Sequence, residues 1–191
     1  MTNELTAPGV PTVLPRGFSL VEMLVVVALA SILASVGIPM LRDVMRSYEL
    51  ASTASTLLSH MHLARTEAIR RSSRVVLCKS ADGATCASGG GWEQGWIVFR
   101  DANANARREP GESIVQYGPP AASGLRILGN GTVGNYISIQ ETGETRLAAG
   151  GFQAGTLSLC HVSAGKTQAR QIVISSVGRA RMAKTTVAHC A

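Results

Sequence analysis

The stretch Gly17-Phe18-Ser19-Leu20-Val21-Glu22-Met23-Leu24 opens an apolar run that decides how the rest of the 191-residue chain is read. Beyond Phe18 and up to residue 38 the side chains are Leu, Val, Ile, Ala and Met with a few small Ser and Gly. The single ionisable group among them is Glu22. An α-helix of about 20 such residues spans roughly 30 Å of hydrocarbon. A carboxylate in that medium costs about 2.5 kcal/mol or more, so Glu22 is expected to have a task and a partner there. Arg16 and Gly17 stand immediately before the run, and the segment ahead of them, with Pro8, Gly9, Pro11 and Pro15, is no helix former. An ordinary secretory signal carries its small-residue cleavage site after the apolar region. Here the glycine lies before it.

That order, Gly-Phe-three residues-Glu-apolar helix, resembles the class III leader of type IV pilins and type II secretion pseudopilins. The resemblance implies cleavage between Gly17 and Phe18 by a prepilin peptidase, N-methylation of Phe18, and a role in subunit assembly for Glu22. The assembly role has a physical basis. When many such helices pack side by side, the buried carboxylate of one subunit can pair with the new terminal ammonium on Phe18 of a neighbour, and each charge offsets the desolvation of the other. Pro39, just past the run, lacks an amide hydrogen and is expected to kink the helix or let it melt locally.

After Pro39 the helical period resumes in amphipathic form. Leu41, Val44, Tyr48, Ala51, Ala54, Leu58, Met61 and Ala68 recur at spacings near three and four, with one longer gap around Arg65. Arg42, Arg46, Glu49, Arg65, Glu67, Arg70 and Arg71 mostly fall on the other faces and read as a solvated surface with acid–base pairing. One helix is therefore expected from residue 18 to about residue 71, its second half laying an apolar stripe on a sheet. From Arg74 onward the period changes to that of strands, expected at 75–79, 95–100, 113–117, 125–128, 136–140, 156–162 and 170–175. Loops rich in Gly and Pro separate them, at 87–91, 119–124 and 148–151. One helix followed by many short strands argues for an α+β fold with antiparallel sheets packed on the helix. The expected organisation is a leader at 1–17, a transmembrane helix at 18–38, its amphipathic continuation at 39–73, and a periplasmic β domain at 74–191 that ends in a basic tail at 176–191.

The net charge is +6, and the leader leaves it unchanged because Glu4 and Arg16 cancel. No Asp or Glu follows Glu144, whereas Arg146, Lys166, Arg170, Arg179, Arg181 and Lys184 do, so six bases in the last quarter equal the whole excess. An isoelectric point near 9.6 fits an anionic partner, whether phosphate polymer or membrane surface. Four cysteines in an exported domain suggest disulfides, with three possible connectivities. Cys78 and Cys86 flank the turn-like 80–84 segment and are expected to pair, leaving Cys160 with Cys190. Zinc is the alternative, since His161 follows Cys160 and His189 precedes Cys190.

The segments 63–71, Val76-Leu77-Cys78, Gly91-Trp92 and Gly95-Trp96-Ile97-Val98-Phe99-Arg100-Asp101 are similar to the FimT/GspH family of minor pilins and pseudopilins. The context of Cys78 and the Trp-x-x-Gly-Trp-x-Val-Phe block resemble the FimT-type, type IV pilus branch more than the secretion branch. Trp92 and Trp96 themselves read as packing residues. The resemblance implies a type IV pilin-like fold and a minor pilin that joins other pilins in a filament. It extends to Gly178-Arg179-Ala180-Arg181, a Gly-Arg-x-Arg motif linked in FimT-type minor pilins to binding double-stranded DNA, without sequence preference, during natural transformation. On an extended chain, arginines two apart project to one side and can fork onto successive phosphates. The role is carried to Arg179 and Arg181, with Lys184 as a helper. The alternative is a GspH-like minor pseudopilin of a type II secretion system with a purely structural role.

Two further patterns carry residues of metal-binding or catalytic type. Asp101, Asn103, Asn105 and Glu112 stand where positions 1, 3, 5 and 12 of a calcium loop would place oxygen ligands, but Ala106 occupies the sixth position, which normally needs Gly. A polar hairpin loop without metal is the first reading, and a calcium site at these four residues is the alternative. His60 and His62 are two apart on a helix and point to different faces. No nucleophile–base set, acid pair or phosphate loop has supporting context. Neither catalysis nor a cofactor is expected.

Overall fold

The computed structural model describes Gly17 and residues 19–190. Two compact units divide at Arg42 and Asp43. Helix α1, Leu20–Arg71, supplies the described structure of the first unit and continues into the second. The helix runs unbroken through Pro39, so of the two expected outcomes, a kink or local melting, the melting does not occur. A proline removes one amide from the ladder, and the backbone bonds of the neighbouring turns carry the helix past it although Val36, Gly37 and Ile38 are poor helix formers.

The described residues of the second unit form eight strands in two antiparallel sheets: β1 (Val75–Lys79), β2 (Trp96–Arg100), β3 (Ile114–Gly118), β4 (Leu125–Gly129), β5 (Tyr136–Ile139), β6 (Gly155–His161), β7 (Thr167–Ile174) and β8 (Ala180–Val187). The first sheet has the order β3-β2-β1-β5 and the second β4-β6-β7-β8. Both lay one face on the second half of α1. That half buries Leu50, Ala54, Leu57, Met61, Ala64 and Ala68, with spacings of four, three, four, three and four. They meet Val75, Leu77, Trp96, Val98, Ile137 and Ile139 from one sheet and Leu125, Ile127, Leu157, Leu159, Ile172 and Ile174 from the other.

The buried stripe differs from the expected one. Leu57 takes the central place given to Leu58, which is only partly buried, and Leu41, Val44 and Tyr48 are exposed. Both stripes satisfy the same three–four spacing, and the choice between them is made by the sheets. The outer faces are covered in places. Val76, Cys78, Ile97 and Phe99 are packed under Cys86, Tyr136 and Ala106, which is why β1 is buried on both faces. Cys160, Ala169 and Cys190 form a smaller cluster with Val187 behind the second sheet.

Trp92 and Trp96 are both fully enclosed, and both indole N–H groups find acceptors. Trp92 Nε1 donates to the Val133 carbonyl at 3.1 Å, and Trp96 Nε1 donates to His60 Nδ1 at 3.0 Å. Burial holds the His60 imidazole below its ordinary 6.5, in the neutral form that can accept this bond.

Candidate functional site

At the start of α1, Ser19 acts as the N-cap. Its Oγ accepts the Glu22 backbone N–H at 3.2 Å and its carbonyl accepts the Met23 N–H at 3.2 Å. Ser19 and Glu22 thus have the spacing of a capping box, and the acid lies in the first turn, where the helix dipole favours negative charge. The Ser19 cap is not among the residues expected above, although Ser-x-x-Glu ahead of an apolar run is itself a helix-start signal. The leader through Arg16 and the methylation position Phe18 lie outside the described residues. Gly17 is exposed. The helix is long and apolar enough to cross a membrane, and no residue of its most apolar stretch is buried within the chain. Leu20, Leu33 and Val36, for example, are exposed on its surface. An uncovered apolar surface of this size requires lipid or neighbouring helices to cover it.

The basic tail is not a free extension. Residues 180–187 form β8, paired with β7 at eight positions from Thr167↔Val187 to Ile174↔Ala180. The turn between them is docked on the rest of the domain. Thr145 N–H donates to the Ser176 carbonyl at 3.0 Å, and Thr145 Oγ1 donates to the Ser175 carbonyl at 2.8 Å. Gly178 has φ +75°, and a Cβ built there would lie 1.8 Å from the Gly143 carbonyl oxygen. Gly143 in turn has φ +81° and packs on Arg65 and Ile69 of α1. The glycine that opens the Gly-Arg-x-Arg motif is therefore demanded by a backbone-to-backbone contact, and that contact fixes where Arg179 begins. Gly178→Ala is expected to cost about 2 kcal/mol or more, from the unfavourable φ together with the carbonyl clash. Thermal unfolding of the variant checks this, and an unchanged midpoint would refute it.

Arg179 lies in the turn and Arg181 within β8, and both are exposed. Lys184 is also exposed but occupies the opposite face of β8, three residues from Arg181. The three cations expected to converge are therefore divided between two faces. None of them makes an ion pair among the described residues. Arg70 and Arg71, by contrast, hold Glu67, Arg126 holds Glu93, and Arg146 holds Glu144. Arg146 also stacks 4.5 Å from the centre of the Phe152 ring.

The loop after β2 turns its oxygens toward its own amides. Asp101, almost fully buried, accepts the Asn105 and Ala106 N–H groups at 3.1 and 3.0 Å, and burial pushes its carboxyl above the ordinary range. Glu112 accepts the Ala102 and Glu109 N–H groups at 2.9 and 3.0 Å. Asn103 and Asn105 donate their side-chain amides to Glu109. Ala106 does adopt the positive φ, +58°, that the sixth position of a calcium loop requires. Among the described residues no three His, Cys, Asp or Glu are grouped to hold a metal. The cysteines are joined as disulfides, Cys78 to Cys86 and Cys160 to Cys190, so Cys160 and Cys190 are not available to zinc.

A capped apolar N-terminal helix running into a domain of antiparallel sheets packed on its second half is the type IV pilin-like fold. Residues 15–38 match the prokaryotic N-terminal methylation motif, and residues 53–178 match the family described as type II transport protein GspH. The chain belongs to this GspH family of minor pilins and pseudopilins, membrane-anchored subunits that assemble with other pilins into a filament. It is 30% identical over 177 residues to the pilin-like protein PilA1 of Thermus thermophilus, covering 87% of this chain and 97% of that one. In fold it is similar to the type IV minor pilin FimU of Pseudomonas aeruginosa. The TM-score is 0.55 at 17% identity, over 76% of this chain and 97% of that one. A second crystal form of FimU gives 0.50, over 74% of this chain and all of that one.

Proposed function

We propose that the protein is a minor pilin of a type IV pilus that binds double-stranded DNA through its β7–β8 hairpin and serves DNA uptake in natural transformation. The precursor is cut between Gly17 and Phe18 by a prepilin peptidase, Phe18 is methylated, and residues 18–38 anchor the chain in the inner membrane. Residues 39–73 continue the helix, and residues 74–191 form the domain on the periplasmic side and in the filament. The part it plays is structural and adhesive, with no catalytic step and no cofactor.

The observation that supports DNA as the ligand is the pair of exposed, acid-free guanidiniums on Arg179 and Arg181, at the end of a chain whose last acid is Glu144. Phosphate contacts of this kind give affinity without sequence preference and make it steeply salt-dependent. The test is titration of the full chain in detergent with a labelled duplex at two salt concentrations, beside Arg179→Ala/Arg181→Ala. Salt-sensitive binding that the double variant loses by about tenfold or more supports the reading. Equal binding by both proteins would move the site elsewhere. Absence of binding at low salt favours the second reading, a minor pseudopilin of a type II secretion system with a purely structural role. The match to the type II transport family over 53–178 speaks for that alternative.

A further inference from the structure

Arg170 carries a charge that the fold does not answer. It lies in the middle of β7 on the face that sends Ile172 and Ile174 into the core beside α1, and it is 7% exposed. A guanidinium at that depth is ordinarily met by a carboxylate. Among the described residues Arg170 makes no ion pair, and its hydrogen bond is a long one, Nη1 donating to the Ala169 carbonyl at 3.5 Å. Among the described residues the fully enclosed side-chain atoms left without partners are Arg108 Nε and Ser138 Oγ, so the free donors of Arg170 are not fully enclosed.

The strand register supplies a second cation. Arg170 stands opposite Leu159 on β6 and opposite Lys184 on β8. Residues paired in this way send their side chains to the same face, so Lys184 and Arg170 are neighbours across the strands. Two like charges set opposite one another repel unless an anion joins them. β8 is the edge of its sheet, and Lys184 is exposed there. The result is a buried planar fork beside an exposed ammonium at an open strand edge, which suits an oxyanion that accepts two parallel N–H bonds from the fork. Arg181 projects from the other face of the same edge strand. A ligand that reaches both faces must be extended and must repeat its charge.

We propose that Arg170 and Lys184 form a second phosphodiester-binding point, reached when a DNA backbone held by Arg179 and Arg181 passes over the open edge of β8. This rests on the reading of the hairpin as a DNA-binding surface. Lys184→Ala and Arg170→Lys, the latter keeping the charge but losing the fork, are tested as full chains in detergent. The probes are a labelled duplex across a salt series and inorganic phosphate at matched ionic strength in thermal unfolding. Lys184→Ala is expected to weaken duplex binding about fivefold and to lower the salt slope by about one, as for loss of one phosphate contact. Arg170→Lys is expected to weaken binding with the unfolding midpoint unchanged. Unaltered duplex affinity in both variants, with binding still lost in Arg179→Ala/Arg181→Ala, would overturn the second point and leave the hairpin reading intact. Stabilisation of the wild type by inorganic phosphate that Lys184→Ala abolishes, without any change in duplex affinity, would make this a free-phosphate site and overturn the assignment to DNA. A wild-type chain that binds no duplex at low salt would overturn both readings together.

Discussion

Replacing Glu22 by alanine is expected to lower incorporation of the protein into filaments by at least about tenfold while leaving precursor processing intact. The magnitude follows from the cost of an uncompensated charge. Removing one partner of a buried ion pair costs about 3–5 kcal/mol, more than two powers of ten, when the other stays buried. In the proposed filament that other charge is the terminal ammonium of Phe18 on a neighbouring subunit. The structure separates this effect from simple loss of the helix start. The cap bond runs from the Glu22 backbone N–H to Ser19 Oγ, and an alanine keeps that N–H. Ser19→Ala is the complementary control, because it removes the cap, worth about 1 kcal/mol, and spares the carboxylate. Glu22→Gln keeps the size and the polarity but not the charge. The measurement is the ratio of protein in sheared filaments to protein in the membrane fraction. If the charge is what matters, Glu22→Gln behaves like Glu22→Ala and Ser19→Ala like the wild type. Normal filament levels for Glu22→Ala would end the assembly role.

What could be read in advance divides along a physical line. The apolar run with Glu22 near its head was legible because one external constraint, the thickness of hydrocarbon, sets its length. Seven strands were legible because each lays at least one face on a core or under a loop and so carries an apolar mark. β8 was not, since Arg181, Met182, Ala183 and Lys184 are all exposed. What holds it is the main-chain ladder to β7, which leaves no trace in hydropathy. The same blindness grouped Arg179, Arg181 and Lys184 into one site. Until the strand is known, nothing says that positions 181 and 184 face opposite ways. The slip from Leu57 to Leu58 on α1 is of another kind, because the helix supports either stripe and the two sheets decide. The need for glycine at 178 was not legible either, because the approach to Gly143 joins residues 35 apart and is a tertiary fact.

The disulfide between Cys160 and Cys190 is expected to matter most for β8. In the chain-entropy account a cross-link over 30 residues contributes about 3–4 kcal/mol, and one over 8 residues, such as Cys78–Cys86, about 2–3. The longer bridge closes the C-terminal end of β8 onto β6, behind Ala169 and Val187. Its other end is held independently by the turn around Gly178, docked on Gly143 and Thr145. Cys160→Ser/Cys190→Ser should therefore fray the strand from Val187 backward while the turn and Arg179 keep their place. Amide hydrogen exchange is the suitable measurement, since it reads local opening separately from global unfolding. Protection should fall at 183–187 by a factor of ten or more, about 1.4 kcal/mol of local stability, and change least at 170–176. Uniform loss across β6, β7 and β8 would mean that the bridge stabilises the whole sheet rather than the edge. Unchanged exchange in β8 would mean that the ladder to β7 is sufficient. A frayed strand also separates the two faces of the basic hairpin in function. Lys184 lies in the released segment and Arg179 in the docked one, so a reducing environment should weaken any contact made through Lys184 before it touches one made through Arg179.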